Sequence, residues 1–364
     1  MTYARQAMWV LLLIPACFHP NYDHPACGLN GECPKGLTCS AQLICEPPGD
    51  AVDAAPSIDA ALLLMLPGCI GLPMTCGASG SDSCCNSLLV AGGTYYRSYD
   101  LASDANSGNM SYPATVSNFR LDKYEVTVGR FRAFVNAGMG TQSSPPPPGA
   151  GAHARIAGSG WDASWNASLA MDNAVLVAAI KCDSTCQTWT DTPAANEDRP
   201  MNCVNWHEAM AFCAWDGGYL PTEAEWNYAA TGGDEQRAYP WSSPAGSLTL
   251  DGSYASYSCV GDGTTSCALT DLLAVGSKSV GDGRWGQSDL AGNVWEWTLD
   301  WYATYASACT DCADLAVASN RVIRGGSFAN DASYPYPLRA GYRYDVTPSY
   351  RNYSVGVRCA RSAP

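Results

Sequence analysis

Cysteine and histidine are the residues of this chain whose side chains could most readily do chemistry, and their numbers favour disulfides. The chain of 364 residues contains 18 cysteines and only four histidines. Such a composition suits oxidised thiols better than zinc sites or a reducing cytosol, and scarce histidine argues against Ser-His or Cys-His catalysis. We therefore expect an exported protein whose cysteines are mostly paired.

Common catalytic motifs are absent. The segment at His207 reads His-Glu-Ala-Met and is not a HExxH zinc motif, and the chain has neither GxSxG nor a P-loop. Glu223 and Glu225 could act as an acid/base pair, but residues two apart on a helix point to different sides. We expect Glu225 to close a capping box with Thr222 instead. The many tryptophans could form a sugar or peptide platform, although we expect most of them in the core.

Few regular elements are available to position functional groups. Residues 119–137 begin with strand-like alternation and continue with helical spacing of apolar residues. Asn205 caps a second predicted helix that ends at Gly217-Gly218, and a third spans 222–230. The remaining sequence is rich in Gly, Ser, Asp and Tyr. It predicts an α+β fold dominated by loops, with few helices and short strands.

The overall charge excludes nucleic-acid binding. There are 20 Lys and Arg against 34 Asp and Glu, for a net charge of −14, and the basic residues form no run. Phosphate backbones attract basic surfaces and would be repelled here. Divalent cations and basic partners remain compatible with this charge.

The first 17 residues resemble an export signal. Arg5 precedes the apolar stretch 7–14, and Pro15-Ala16-Cys17 follows. The stretch is too short to span a bilayer. Its end resembles a bacterial lipobox, so we expect lipidation of Cys17 and a lipoprotein held at the bacterial cell envelope. The alternative is an ordinary signal peptide, cut near the same place, that releases a secreted protein.

Three further regions follow the signal. Residues 18–48 form a small Cys-rich module, which is either a spacer or a binding module. Its cysteines lie six residues apart, at Cys27, Cys33, Cys39 and Cys45. Residues 49–68 are rich in Pro, Asp and Ala and predict a flexible linker. Residues 69–364 predict one large domain.

Six segments of this domain resemble the formylglycine-generating, or sulfatase-modifying-factor, family and occur in the family's order. They are LDKYEVTVGRFRAFV, RPMNCVNWHEAMAFCAWDGGYLPTEAEWNYAATGG, YPWS, DLAGNVWEWTLDWY, RVIRGGSF and VGVRCAR. The resemblance implies a single α+β domain related to the C-type lectin fold, with bound calcium. Members include the oxygen-dependent enzyme that makes formylglycine in sulfatases, an iron sulfoxide synthase and gliding-motility lipoproteins. Family membership therefore does not fix the chemistry.

The copper site of the formylglycine enzyme is missing from this sequence. In that enzyme two cysteines, five positions apart, follow the Gly-Gly-Ser turn and bind Cu(I), which prefers thiolates. The same positions hold Asn330 and Pro335 here. Neither can replace a thiolate, so copper is not expected. Ser327 and Trp295 correspond to family residues beside the copper and are the remaining catalytic candidates.

A histidine-iron site is also not expected. The ergothioneine-type enzymes take their histidine ligands from a separate helical domain that this chain lacks. Only His153 and His207 lie in the large domain, and a facial triad needs two histidines and a carboxylate that converge. We expect a solvated or capping role for His207.

Calcium is the metal that the resemblance implies. It maps side-chain ligands onto Asp289 and Glu296 and carbonyl ligands onto Gly292 and Val294. Hard oxygens of this kind suit Ca²⁺. In the alternative interpretation Asp289 caps a turn and Glu296 pairs with an arginine. A second family site falls at 254–271, where Ser256 replaces the expected Asn.

The resemblance also bears on the disulfides. In the family, the cysteine that corresponds to Cys213 pairs with a position that is Ala340 here, so we expect a new partner, either Cys203 or Cys359. Two local pairs are further candidates. They are Cys182 with Cys186 and Cys309 with Cys312.

We therefore expect an exported, lipid-anchored family member without the copper pair, which binds a peptide, protein or glycan at the cell envelope. One alternative is an oxidoreductase that acts on a protein or metabolite through a site that the sequence does not reveal. A second is a structural envelope lipoprotein.

Overall fold

The computed structural model describes residues 38–39, 45–46, 66–102, 110–306 and 308–363. The chain divides into two units, residues 1–59 and 60–364. In the first unit, strands β1 (Thr38–Cys39) and β2 (Cys45–Glu46) pair antiparallel. The predicted signal with Cys17, nearly all of the Cys-rich module and nearly all of the linker lie outside the described residues, so their boundaries stay predictions.

The described residues of the second unit contain four α-helices. They are α1 (Val128–Asn136), α2 (Asn173–Ala179), α3 (Trp206–Trp215) and α4 (Glu223–Ala230). The predicted caps are confirmed, because Asn205 and Thr222 each form a capping box with the acidic residue three positions later. Short 3-10 helices span Ala163–Ser168, Gly233–Glu235, Leu269–Asp271, Ser279–Gly281 and Tyr336–Leu338.

Ten short strands form three small sheets in the part of this unit that the structure describes. In chain order they are β3 (Ser87–Val90), β4 (Gly93–Tyr96), β5 (Pro113–Val116), β6 (Phe119–Asp122), β7 (Trp295–Trp301), β8 (Cys309–Thr310), β9 (Arg321–Arg324), β10 (Tyr344–Val346), β11 (Val355–Gly356) and β12 (Ala360–Ser362). The sheet orders are β10-β9-β7-β11, β12-β6-β3 and β4-β5-β8. β7 is parallel to β11, β5 is parallel to β8, and the other pairs are antiparallel. The predicted loop-rich α+β fold is confirmed.

The main core lies between α1, α3 and β7. Phe131 of α1 stacks on Phe212 of α3 with ring centres 5.5 Å apart, and the indole of Trp297 in β7 donates to the carbonyl of Val204 at 3.0 Å. All seven residues of β7 are buried. Most of the predicted core tryptophans are therefore core residues, and β7 brings Trp295 and Glu296 to the candidate site.

Six disulfides cross-link the described residues of this unit. They are Cys69–Cys85, Cys76–Cys84, Cys182–Cys203, Cys213–Cys359, Cys259–Cys267 and Cys309–Cys312. The new partner of Cys213 is thus Cys359, one of the two that we predicted, and Cys309–Cys312 is confirmed. None of the helices in the described part of the chain is long and apolar enough to cross a membrane.

The predicted Cys182–Cys186 pair is wrong. Cys186 is a free, buried thiol, and Cys182 pairs with Cys203. The carboxylate of Asp183 accepts from the backbone N–H of Cys186 at 2.7 Å and tightens the turn between the two cysteines. The side chain of Cys186 packs with Val294 and other apolar residues instead.

Candidate functional site

The turn after β9 contains the Gly-Gly-Ser sequence that the resemblance places beside the copper centre of the formylglycine enzyme. Gly325 and Gly326 have φ values of 95° and 73°, which a side chain rarely adopts. A Cβ on Gly326 would lie 2.8 Å from the side chain of Leu338. The turn therefore needs glycine, and it delivers Ser327 buried beneath the surface.

Asn330 stabilises this turn through its side chain. Its amide oxygen accepts from the backbone N–H of Ser327 at 2.6 Å and from the Ser327 hydroxyl at 3.2 Å. The backbone N–H of Asn330 donates in return to the carbonyl of Ser327 at 3.1 Å. The structure thus brings Ser327 and Asn330 together as a closed hydrogen-bonded turn, in which the amide oxygen already has two donors.

Pro335 begins the 3-10 helix Tyr336–Leu338. Its carbonyl accepts from the N–H of Leu338 at 3.1 Å, and its side chain carries no donor atom for a metal. The two positions that correspond to copper thiolates therefore hold a turn cap and a helix-start residue.

A partly exposed cluster of tyrosines includes both chain neighbours of Pro335, and we call it the tyrosine surface. Its members are Tyr302, Tyr334, Tyr336, Tyr342 and Tyr344, and the buried Trp295 packs against Tyr342 and Tyr344. Tyr334 and Tyr344 are 55% and 47% exposed. The ring centres of Tyr334 and Tyr336 lie 5.1 Å apart, and those of Trp295 and Tyr344 lie 5.8 Å apart. Burial raises the pKa of Tyr342, and the neighbouring Tyr334, Tyr344 and Tyr302 raise it further.

The tyrosine surface adjoins the edge of a sheet. Tyr344 begins β10, which pairs with β9 on one side and is the outer strand of its sheet. Edge strands offer unpaired backbone N–H and C=O groups to another chain. The sequence shows many tyrosines but not that these ones lie together. The contacts between them join residues far apart in the chain.

The loop 289–296 carries the predicted calcium ligands. Asp289 has a φ of 59°, and Asn293 and Gly292 also have positive φ values, so the loop turns tightly. The carboxylate of Asp289 is half-buried and accepts from the backbone N–H of Gly276 at 2.6 Å. Burial raises its pKa to about 6, and that hydrogen bond opposes the rise.

Glu296 does not fit as a calcium ligand. Arg358 contacts both of its oxygens at 2.7–3.2 Å, and the indole of Trp226 donates to one of them at 2.7 Å. An acceptor held by a guanidinium and an indole has no lone pair aimed at a further cation. The alternative interpretation, a glutamate paired with an arginine, describes this residue.

Glu125 contacts this loop, and the sequence analysis did not identify it as a site residue. Its carboxylate is buried and accepts from the side-chain amide of Asn293 at 2.7 Å and from the N–H of Val294 at 3.2 Å. Burial raises its pKa well above the ordinary value, and the charges of Asp289 and Glu296 raise it further. Three carboxylates therefore face one guanidinium here, an imbalance that a cation beside Asp289 would relieve.

The second predicted calcium stretch packs against the same loop. The Ser256 hydroxyl donates to the carbonyl of Asp271 at 2.6 Å, and the Ser256 carbonyl accepts from the N–H of Asn293 at 2.9 Å. Backbone N–H groups donate to both carboxylate oxygens of Asp271. The polar groups of Ser256 and the carboxylate of Asp271 therefore already have hydrogen-bond partners within the protein.

The two histidines of the large unit do not meet. His153 lies 3.2 Å from a carboxylate oxygen of Glu225, the residue that also closes the predicted capping box. The expectation of a solvated or capping His207 is wrong, because its ring is buried against Trp206. Burial lowers the pKa of His207 to about 4, with help from Arg321.

One group of three potential metal ligands converges within the described residues, and it is not a metal site. It consists of Cys76, Cys84 and Asp198, and the two cysteines form a disulfide. A sulfur that is oxidised in this way no longer offers a thiolate.

A buried ionic cluster at the start of α4 also escaped the sequence analysis. Glu223 pairs with Arg324 at 2.6 Å and with Arg343 at 2.7 Å, and the hydroxyl of Tyr305 donates to it at 2.9 Å. These partners lie 80 to 120 residues away in the chain, so no local pattern could reveal them. The cluster forms one wall of a cavity of about 230 Å³.

The sequence profile of the sulfatase-modifying factor enzyme 1-like domain matches residues 75–363. The chain belongs to this family. It is 32% identical over 262 residues to the formylglycine-generating enzyme of Streptomyces coelicolor, covering 67% of this chain and 78% of that protein. It is 35% identical over 169 residues to the inactive C-alpha-formylglycine-generating enzyme 2 of Mus musculus, covering 45% and 49%. The alignments with formylglycine-generating enzymes from four species span 44% to 82% of those proteins.

A solved structure confirms the fold. PvdO from Pseudomonas aeruginosa superposes with a TM-score of 0.51 and 20% identity, covering 80% of this chain and 99% of that one. At this identity the likeness concerns the fold alone.

Proposed function

We propose that this protein is a non-copper member of the family that binds a peptide segment of a partner protein at the tyrosine surface. The observation that carries the proposal is the replacement of the two thiolate positions by Asn330, a turn cap, and Pro335, a helix-start residue. A domain that lacks a metal centre can still bind a ligand through its surface. A relative named as an inactive formylglycine-generating enzyme supports this possibility for the family.

The edge strand beside the aromatic rings favours a peptide over a glycan. Tyrosine supplies a large, rigid contact area that costs little conformational entropy on binding. The backbone of β10 adds hydrogen-bonding groups that an extended peptide can complete, whereas a glycan has no regular backbone to match them.

Binding is tested by probing the purified protein with a synthetic peptide array and a glycan array in parallel. We expect peptide signals that fall at least tenfold in the Tyr334→Ala/Tyr344→Ala variant. Met171→Ala, which removes an exposed apolar side chain outside the tyrosine surface, should leave them unchanged. Binding to glycans alone would overturn the peptide assignment, and an unaltered signal in the double variant would overturn the site.

Residual oxidoreductase activity is the competing function. It is tested by incubating the protein with a cysteine-containing sulfatase peptide, oxygen and Cu(I), followed by mass spectrometry. We expect unmodified peptide, because neither Asn330 nor Pro335 can hold the ion. Any formylglycine product would overturn the proposal.

We also propose export and lipid anchoring through Cys17. Cell fractionation should place the protein with membranes, and Cys17→Ala should release it or leave it unprocessed. Fractionation of both forms as soluble protein would contradict the anchor. Recovery in a large membrane-associated complex would instead favour the structural envelope role.

A structural calcium ion remains part of the proposal, held by Asp289 and the carbonyls of Gly292 and Val294. Its support is the excess of carboxylates around this loop. An ion bound only by the folded state stabilises it by mass action. We expect a chelator such as EGTA to lower the melting temperature and added Ca²⁺ to restore it, with no response in Asp289→Asn. An equal melting temperature with and without chelator would contradict the ion.

A further inference from the structure

The disulfide Cys309–Cys312 has the spacing of a redox-active pair. The segment reads Cys-Thr-Asp-Cys, with β8 beginning at Cys309. Cys-x-x-Cys is the arrangement in which disulfide oxidoreductases hold a reactive thiol of lowered pKa. Spacing alone does not establish a redox site, which also depends on the residues around the two cysteines.

Both cysteines of this disulfide are half-buried. Among the other five in the described part of the chain, three are buried at both cysteines, and Cys182–Cys203 and Cys259–Cys267 each join an exposed cysteine to a buried one. Both cysteines also line the cavity of about 230 Å³ beside the ionic cluster of Glu223. A sulfur that lines an open cavity can be reached by an attacking thiolate, whereas a core disulfide cannot.

A purely structural role explains this disulfide poorly. Cross-links stabilise a fold mainly by restricting the unfolded chain, and the effect grows with the length of the closed loop. Cys309 and Cys312 are separated by 3 residues, against 146 for Cys213 and Cys359. The short loop therefore contributes least to stability among the six.

A fixed positive charge lies beside one of the sulfurs. A guanidinium nitrogen of Arg97 is 3.7 Å from the Sγ of Cys312. The guanidinium donates to the carbonyl of Ala306 at 2.7 Å and lies over the ring of Tyr305 at 4.5 Å, so it is held in place. A cation beside a sulfur stabilises the thiolate and makes that sulfur the better leaving group.

We propose that Cys309–Cys312 is a redox-active disulfide that oxidises substrate dithiols in this cavity. A substrate thiolate attacks the Sγ of Cys309, the bond between the two cysteines breaks, and Cys312 leaves as a thiolate beside Arg97. The second substrate thiolate then attacks the substrate sulfur of the mixed disulfide and displaces Cys309. Two electrons pass from the substrate to the cysteine pair, and the two substrate thiol protons end on Cys309 and Cys312.

The cavity defines the class of substrate. Its volume admits a side chain or a small thiol compound, and the shared chemistry is a dithiol, from a peptide or from a small molecule. Asp300 also lines it, and burial raises the pKa of this carboxyl to about 7, so that it can exchange a proton near neutral pH. This inference goes beyond peptide binding and does not depend on it.

The test begins with redox titration of the purified protein in glutathione buffers, followed by alkylation and peptide mass spectrometry. We expect Cys309–Cys312 to become half reduced at a thiol-to-disulfide ratio at least tenfold lower than Cys259–Cys267, with the glutathione adduct on Cys309. Because the titration uses the wild-type chain, it does not depend on the folding of any variant. Reduction of Cys259–Cys267 before Cys309–Cys312, or an adduct on Cys312 alone, would overturn the proposal.

The second arm measures transfer to substrate. A reduced peptide with two cysteines, and dithiothreitol as the small-molecule dithiol, are each mixed with the oxidised protein. We expect one disulfide formed per protein molecule with at least one of them, and loss of this reaction in Cys309→Ser/Cys312→Ser. The control Cys259→Ser/Cys267→Ser should retain it. Equal oxidation by wild type and the Cys309→Ser/Cys312→Ser variant would overturn the assignment.

Discussion

At the scale of single residues, the ion pair between Glu296 and Arg358 shows how this fold uses its buried charges. Both side chains are buried, and the guanidinium also donates to the backbone carbonyls of Asp122, Lys123 and Ser288. One charged residue thereby joins the end of β6, the 289–296 loop and β7. The carboxylate of Glu296 offsets the desolvation cost of burying the guanidinium.

Loss of the Glu296 charge should therefore be costly. We expect Glu296→Gln to lower the free energy of unfolding by about 3–5 kcal/mol, because it leaves a buried guanidinium without its counter-ion. The control Asp234→Asn breaks an exposed pair with Arg284 and should cost less than about 1 kcal/mol. Urea denaturation measures both. Equal small effects would show that the buried pair does not hold the fold together.

His207 should make the protein sensitive to acid. Its pKa is about 4 in the folded state, against 6.5 ordinarily, because of burial and the nearby Arg321 and Arg351. The unfolded chain therefore takes up a proton first as the pH falls below about 6.5, and stability is lost progressively towards pH 4. The loss amounts to about 3 kcal/mol at most.

The pH dependence is measured by urea denaturation between pH 7 and pH 4 for the wild type and for His207→Gln. We expect the variant to show the smaller loss of stability on acidification. Parallel pH profiles for the two proteins would contradict a lowered pKa of His207 in the folded state.

The sequence alone predicted the roles of some of these residues and not of others. Asn330 and Pro335 could be assigned as non-ligands directly, because the absence of a thiolate is a property of the residue itself. The pairing of Glu296 with Arg358 spans 62 positions, and only one of the two alternatives for Glu296 could be right. Its neighbour Glu125 lies in the first of the six family segments, but nothing in that segment marked it as part of this site.

At the scale of elements, the disulfide Cys213–Cys359 joins α3 to the segment before β12. It closes a loop with a sequence separation of 146 residues. Its neighbour in the core, Phe212, stacks on α1, so the cross-link ties the C-terminal strand to the main helical core.

Removal of this disulfide should destabilise the fold more than removal of a short one. On loop-entropy grounds we expect Cys213→Ala/Cys359→Ala to lower the free energy of unfolding by about 5 kcal/mol, against about 2.6 kcal/mol for Cys259→Ala/Cys267→Ala, which closes a separation of 8 residues. Chemical denaturation of both double variants gives the comparison. A larger loss in the short-loop variant would contradict the entropic account.

Helices α1, α3 and α4 were predictable for a local reason that does not apply to the sheets, whereas α2 was not predicted. The caps of α3 and α4 and the glycines after α3 lie next to the helices that they delimit. The sheet β10-β9-β7-β11 combines strands from 295 to 356 with long loops between them. Its order depends on tertiary packing, and so does the tyrosine surface at its edge.

At the scale of the whole molecule, this is a sulfatase-modifying-factor domain held together by buried ion pairs, aromatic packing and disulfides more than by regular secondary structure. Asn330 and Pro335, which follow the Gly-Gly-Ser turn, offer no thiolate. We propose that the domain keeps the family's architecture without the copper chemistry. The tyrosine surface and the cavity at Cys309–Cys312 are what this molecule presents instead.

Cu(I) competition is the most direct test of this account. The oxidised protein, carrying Cys186→Ser to remove the unpaired thiol found among the described residues, is mixed with one equivalent of Cu(I) and bicinchoninate, with a formylglycine-generating enzyme as the positive control. The account predicts that the chelator keeps all of the copper. Retention of one equivalent by the protein, lost again in Asn330→Ala, would contradict it.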